Sequence, residues 1–312
     1  MAGGTMMNTQ ELRPLTLGRL LDRAFSCYRD HFILFVGIMA IPQVFIVGIS
    51  LLTQRIQQSA LQVGINPRLQ GKHFLFVLAS AGLILFLMLL GYVFAYAAAL
   101  GGTTFGVSEI YLGRQVTIRA AYGRMRGRVW VLLRVLIVIS VSLTTPLLLA
   151  GLIMALMPLH LVPNPTLLLV ILILLLVATV PWTVWMLLRY SLAIPALLLE
   201  GVSAREAIKR SAILTKGYLG QLFLIVLLMM LIGSVIATVF EGPFWIAIAV
   251  LAAKGNHLAL WLGYPMAVAG GIGRAVSSPL LAIAIVLAYY DTRIKKEGFD
   301  LQVMMASLDN VE

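Results

Sequence analysis

Residues 219–240 read LGQLFLIVLLMMLIGSVIATVF, 22 positions without one charged side chain. A helix of roughly 20 apolar residues crosses the ~30 Å hydrocarbon layer of a bilayer, so this stretch is long enough to span one. Five more windows of the same kind lie around it: 32–52, 74–100, 129–157 (interrupted only by Arg134), 166–188 and 266–290. A further apolar run follows the fifth window, at 244–253 and 258–262. Its pieces are short for spans and read as a short hairpin or a re-entrant segment. The expected fold class is an all-α integral membrane protein with about six transmembrane helices.

The composition demands the same solvent. Of 312 residues, 61% are hydrophobic and 11% charged, against about 45–50% and about 25% in soluble domains. That excludes an ordinary soluble enzyme, a disordered chain and a fibrous repeat. The single cysteine, Cys27, excludes a disulfide scaffold and a Cys-only metal site. A formal charge of +11 would suggest nucleic acid as the partner of a soluble protein. In a membrane protein the same excess is loop charge facing anionic lipid, so phospholipid is the expected partner and nucleic acid is not.

The basic residues cluster. Arg13, Arg19, Arg23 and Arg29 precede the first window; Arg114, Arg119, Arg124, Arg126 and Arg128 follow the second. Arg189, Arg205, Lys209, Arg210 and Lys216 follow the fourth, and Arg293, Lys295 and Lys296 follow the sixth. Only Arg55, Arg68, Lys72 and Lys254 fall on the other side, which places both termini in the cytoplasm by the positive-inside rule. The opening MAGGTMMNTQ lacks the basic-then-apolar layout of a cleavable signal, so the first span is expected to be retained.

An internal repeat runs through this pattern. TLGRLLDRAF (16–25), TIRAAYGRMR (117–126) and SAREAIKRSA (203–212) each precede an odd-numbered span and open on a hydroxyl residue. Seven positions later each carries an arginine: Arg23, Arg124 and Arg210. In the first, Leu17, Leu20, Leu21, Ala24, Phe25 and Tyr28 follow helical spacing, with charges on the other face. Ser203 and Glu206 have the spacing of a capping box, so a helix should start there. The implied unit is interfacial helix, span and return span, at 12–115, 116–201 and 202–296, with a short cytoplasmic tail at 297–312. The three arginines would then sit at one depth, where a guanidinium can meet a lipid phosphate through paired hydrogen bonds. The competing reading is that each merely belongs to the basic excess.

Catalytic signatures are missing from the sequence. His31, His73, His160 and His257 show no paired-ligand spacing, and no phosphate loop or nucleophile elbow occurs. Gly270-Gly271-Ile272-Gly273 resembles a dinucleotide loop only until Val276, where the last glycine belongs. The acids are scattered near span ends, so no catalytic, cofactor or metal residue is expected. Small residues repeat at Gly91, Ala95 and Ala99 and at Ala98, Gly102 and Gly106, a stripe for close helix packing within the chain or for a homo-oligomer face. Pro181, Pro195, Pro265 and Pro279 should kink or end their helices. Arg274 is a candidate intramembrane polar site, unless the sixth span starts near Ala275 and Arg274 anchors its outer end. Arg134 is near enough to the end of its span to snorkel.

Three stretches, LTLGRLLDRAFSCYRDHF (15–32), RYSLAIPALLLEGVSAREAIKRSAILTKG (189–217) and PLLAIAIVLAYYDTRIKKEGFD (279–300), are similar to the glycerophosphoryl diester phosphodiesterase membrane-domain family of bacterial proteins. The resemblance implies a polytopic helical domain in the bacterial cytoplasmic membrane. Some members carry a phosphodiesterase barrel; here no His-Arg-Gly stretch occurs, so the family name implies no activity for these residues. Its most specific part is Tyr290, Asp291 and Arg293, which read as an interfacial anchor or as a contact to lipid phosphate or a protein partner. The function expected from all this is a non-enzymatic, lipid-interacting scaffold or accessory subunit in envelope or lipid-related processes. The rival is a transporter or lipid flippase, favoured by the repeat, the broken helices and Arg274.

Overall fold

The computed structural model describes residues 16–65, 72–156 and 165–298. Arg13, Arg68, His160 and the tail beyond Gly298 lie outside them. Every element among the described residues is a helix: α1 (Leu17–Asp30), α2 (Phe32–Ile65), α3 (Lys72–Tyr111), α4 (Ile118–Met125), α5 (Val129–Leu156), α6 (Pro165–Tyr190), α7 (Ala193–Glu200), α8 (Ala204–Thr215), α9 (Leu219–Ala253), α10 (Leu258–Trp261) and α11 (Gly263–Glu297). Six stretches are long and apolar enough to cross a bilayer: Phe32–Ile56, Ala79–Tyr111, Val129–Pro146, Val177–Glu200, Leu219–Ala253 and Leu258–Glu297. The protein is an all-α, multi-pass membrane protein.

Two expectations are corrected. Residues 244–253 form no hairpin or re-entrant piece; they continue α9, which runs 35 residues through Pro243. The sequence FWIAIAVLAA holds no breaker of its own, and the chain turns only at Gly255, whose φ of +66° is left-handed. Nor does a helix begin near Ala275. α11 starts at Gly263 and passes through Gly270-Gly271-Ile272-Gly273 and Pro279, so Arg274 is a mid-helix residue. Pro195 and Pro265 each stand third in their helices, in the first turn, where no backbone N–H is missed.

The helices group into two compact units. The first comprises Thr16–Val129 and Ile225–Leu287, that is α1 to α4 with most of α9 and α11. Here α2 and α3 run antiparallel, and the small-residue stripe lies where they meet. A side chain at Gly91 would collide with the Phe45 ring, Gly102 faces Ile38 and Gly106 faces Phe35. Ile38, Met39, Ala99 and Ala121 form a fully enclosed core, with Ala282 packed against it. Packing within the chain thus accounts for the stripe. Tyr122 of α4 donates to the Ile38 carbonyl at 2.7 Å, and Tyr28 of α1 to the Val276 carbonyl at 2.6 Å. Burial pushes both phenols up to about 12, which keeps them proton donors.

The second unit holds Trp130–Leu224 and residues 288–298. α8 packs on α6 and α7, with Leu192, Ala193, Ala196, Leu214 and Tyr289 fully buried. The Ser211 hydroxyl donates to the Arg189 carbonyl at 2.7 Å.

Candidate functional site

The three hydroxyl residues all stand at helix N-caps, but they cap differently. The Ser203 hydroxyl accepts from the Glu206 amide at 3.4 Å while the Glu206 carboxylate accepts from the Ser203 amide at 2.9 Å, the reciprocal box expected from their spacing. That backbone hydrogen bond from Ser203 holds the Glu206 carboxyl below the usual carboxylate range. Thr117 accepts one bond, from the Ala120 amide at 3.2 Å, and Thr16 makes no side-chain cap.

α4 and α8 also end alike. Arg126 (φ −59°, ψ 120°) precedes Gly127 at φ +86°, and Lys216 (φ −60°, ψ 121°) precedes Gly217 at φ +84°. The Arg128 amide donates to the Met125 carbonyl at 2.9 Å and the Tyr218 amide to the Thr215 carbonyl at 3.0 Å. These are type II turns, whose third residue needs a left-handed φ and hence glycine. α1 instead leads into α2 through His31 at φ −124°, without a glycine.

The arginine seven places after each cap meets a different neighbour. Arg23 lies over the Tyr111 ring, 4.9 Å from its centroid. Arg124 pairs with Glu109 at the end of α3, and Arg114 reaches the same carboxylate at 3.5 Å. Both arginines stay open, with 51% and 65% of their side chains exposed. Arg119, Arg126 and Arg128 on the same stretch of chain are exposed as well, and Arg128 lies 5.8 Å from the Phe105 centroid. The stretch 114–128 is thus a basic platform of five exposed arginines, of which Arg114 and Arg124 pair with Glu109.

Arg210 is held in a tighter cluster. Its Nε donates to Glu200 at 3.0 Å and its Nη2 to Glu297 at 2.7 Å. Arg293 donates to Glu297 at 3.1 Å and lies 3.8 Å from Glu200, while the Tyr289 hydroxyl donates to Glu200 at 2.6 Å. Burial alone would lower the Arg210 guanidinium, but Glu200 and Glu297 raise it on balance, so its charge is fixed. Of the tail motif, Tyr290 is buried with its ring on edge to Tyr289, and Asp291, 2% exposed, accepts from Lys295 at 2.5 Å. Lys296 donates to the carbonyls of Ile213 and Lys216, closing the end of α8.

Arg274 pairs with Glu241 of α9 at 3.0 Å. The glycines dismissed as a nucleotide loop make room for this: a Cβ at Gly270 would collide with the Glu241 carboxylate, and one at Gly271 with Val47 of α2. Sequence reasoning missed the acids Glu109, Glu200, Glu241 and Glu297. The fifth apolar window ends at Phe240, one residue before Glu241. The signal for the other pairs was a glutamate at the end of the preceding helix, 15 residues before Arg124 and 10 before Arg210. Among the described residues no group of three or more His, Cys, Asp or Glu side chains is arranged to hold a metal. No family model matches the chain, and no curated protein and no solved structure is significantly similar to it.

Proposed function

We propose that this is a non-catalytic protein of the bacterial cytoplasmic membrane that binds anionic phospholipid at its basic platform and serves as a scaffold or accessory subunit in envelope or lipid-related processes. One observation carries the reading: Arg114, Arg119, Arg124, Arg126 and Arg128 are all exposed on one short stretch at the foot of a span, and of these Arg114 and Arg124 pair with Glu109. Each arginine near an anionic surface adds about 1 kcal/mol of attraction, and a free guanidinium fork can take a phosphate through two hydrogen bonds. Trp130, 65% exposed at the start of α5, suits the headgroup level. Among the three repeat arginines this role falls to Arg124, which is 51% exposed beside one carboxylate, whereas Arg210 is 29% exposed and held by Glu200 and Glu297. In this reading the termini are cytoplasmic, and the units at 12–115, 116–201 and 202–296 are repeats that have diverged in charge.

The test replaces Arg119, Arg124 and Arg126 by lysine, which keeps the charge and the topology but removes the fork. The variant is expected to insert normally and to retain about three-fold less co-purified anionic lipid, a difference of about 0.6 kcal/mol. Unchanged retention would leave only the charge bias. Orientation is checked with cysteines at Asn256 and Lys209, both exposed. An impermeant thiol reagent applied to intact cells should label the first and not the second. Native Cys27 gives little background, since burial pushes its thiol up to about 11.

A further inference from the structure

The stretch EIYLGR, residues 109–114, joins an acid to an arginine through the backbone itself. α3 ends at Tyr111, and Gly113 follows at φ +75°. The Gly113 amide donates to the Ile110 carbonyl and the Arg114 amide to the Glu109 carbonyl, both at 2.9 Å. These are the two bonds of a Schellman close, which folds the sixth residue back against the first. Arg114 is thereby set beside Glu109. Arg124 arrives from α4, whose Ala121 and Met125 pack on Gly102 and Gly101 of α3.

The two arginines divide one carboxylate between them. Arg124 meets Oε1 of Glu109 and Arg114 meets Oε2, each through Nη1 alone. The side-on fork of a guanidinium is Nε with Nη2, and in both arginines that fork is uncommitted. Glu109 lies deeper, 12% exposed, while the guanidiniums open to solvent. Because the carboxylate oxygens share one carbon, the two free forks are held within reach of a single small anion. The acid pre-organises both arginines, which lowers the cost of ordering them on a ligand. The group stands where α3 leaves its apolar span, at the level of lipid phosphates.

The number of forks selects among phosphates. A phosphodiester headgroup offers two non-bridging oxygens and one charge, and a single fork already fills it. A phosphomonoester offers three free oxygens and a charge of about −1.5 to −2 near pH 7, enough to occupy a second fork. The geometry points to a specificity: Arg114 and Arg124, braced by Glu109, form a two-armed clamp for the terminal phosphomonoester of a membrane lipid such as phosphatidic acid. This inference rests on the proposed binding of anionic lipid at the platform and names the headgroup that the platform prefers.

The test offers the full chain, in detergent, an equal mixture of phosphatidic acid and phosphatidylglycerol and counts bound lipids by native mass spectrometry. Wild type should prefer phosphatidic acid about ten-fold, the worth of one added charge-assisted hydrogen bond. Arg114→Lys keeps the charge but loses one fork, and should cut the preference to about two-fold or less. Glu109→Gln separates the clamp from plain charge. It removes a negative charge, so total anionic lipid should rise, yet the preference should fall because the arginines lose their brace. Equal binding of the two lipids by wild type overturns the clamp and leaves the platform reading intact. Binding of neither lipid overturns the platform reading itself. A preference that survives both substitutions overturns the assignment to these residues. Displacement of phosphatidic acid by an equal concentration of glycerol 3-phosphate would make a soluble phosphomonoester the ligand and overturn the lipid source.

Discussion

The corner built on α4 and the corner built on α8 use one backbone plan and end in opposite electrostatic states. Each has a hydroxyl N-cap, an arginine seven residues on, a left-handed glycine closing a type II turn and a glutamate on the preceding helix. At α4 one carboxylate, Glu109, faces two open arginines. At α8, two carboxylates, Glu200 and Glu297, face Arg210 and Arg293, whose side chains are 29% and 16% exposed. α11 brings an arginine and an acid together, Arg293 and Glu297, so this corner stays balanced in a neutral, half-buried knot while the α4 corner keeps an arginine in surplus. The backbone therefore sets where the arginine stands, while the count of neighbouring acids decides whether it is spent on the fold or left for a ligand.

The largest expected effect tests that contrast directly. Glu200→Gln leaves Arg210, Arg293 and the Tyr289 hydroxyl without their shared charge, and should cost about 2–3 kcal/mol, less than a fully buried pair because Arg210 is partly hydrated. Glu109→Gln should cost below about 1 kcal/mol, since its partners are open to solvent. Equal shifts in detergent unfolding curves would break the comparison. The turns should instead behave alike. Gly127→Ala and Gly217→Ala each force a left-handed φ on a side chain, at about 1–2 kcal/mol, and markedly unequal losses would mean the two turns are not the same device.

Smallest are the caps. Ser203→Ala removes a full box and should cost about 1 kcal/mol, Thr117→Ala about half that, and Thr16→Ala almost nothing, as its side chain makes no cap bond. Amide exchange in the first turns of α8, α4 and α1 would rank them. Acid should loosen α8 selectively. The folded Glu206 carboxyl is held below its unfolded value, so its contribution is complete above the ordinary range near pH 4.3 and is lost as pH falls through the lower folded value. Exchange in α8 that does not change over that window would remove the carboxylate half of the box.

Much of this was legible in the chain. Apolar length marked the spans, and all three hydroxyl caps stand where spacing put them, because helix starts are local events between residues three apart. The end of the fifth span was misjudged because an acid looks like a boundary, and only the partner on α11 explains Glu241 inside a helix. The knot was illegible for a similar reason. Arg210 and Glu297 are 87 positions apart, and no periodicity relates them. Of the tail motif, Tyr290 and Asp291 are buried and Arg293 belongs to that knot, contacts that no local spacing announces.

That separation has a consequence for biosynthesis. Glu200 and Arg210 leave the ribosome together, but Tyr289, Arg293 and Glu297 follow some 80 to 90 residues later. At 5–20 residues per second the delay is on the order of ten seconds. During it the corner is a lone ion pair, and the end of α8 waits for the Lys296 ammonium that will later cover its carbonyls. The knot works as a clasp fastened last: it is complete only once Tyr289, Arg293 and Glu297 at the end of α11 have joined Glu200 and Arg210.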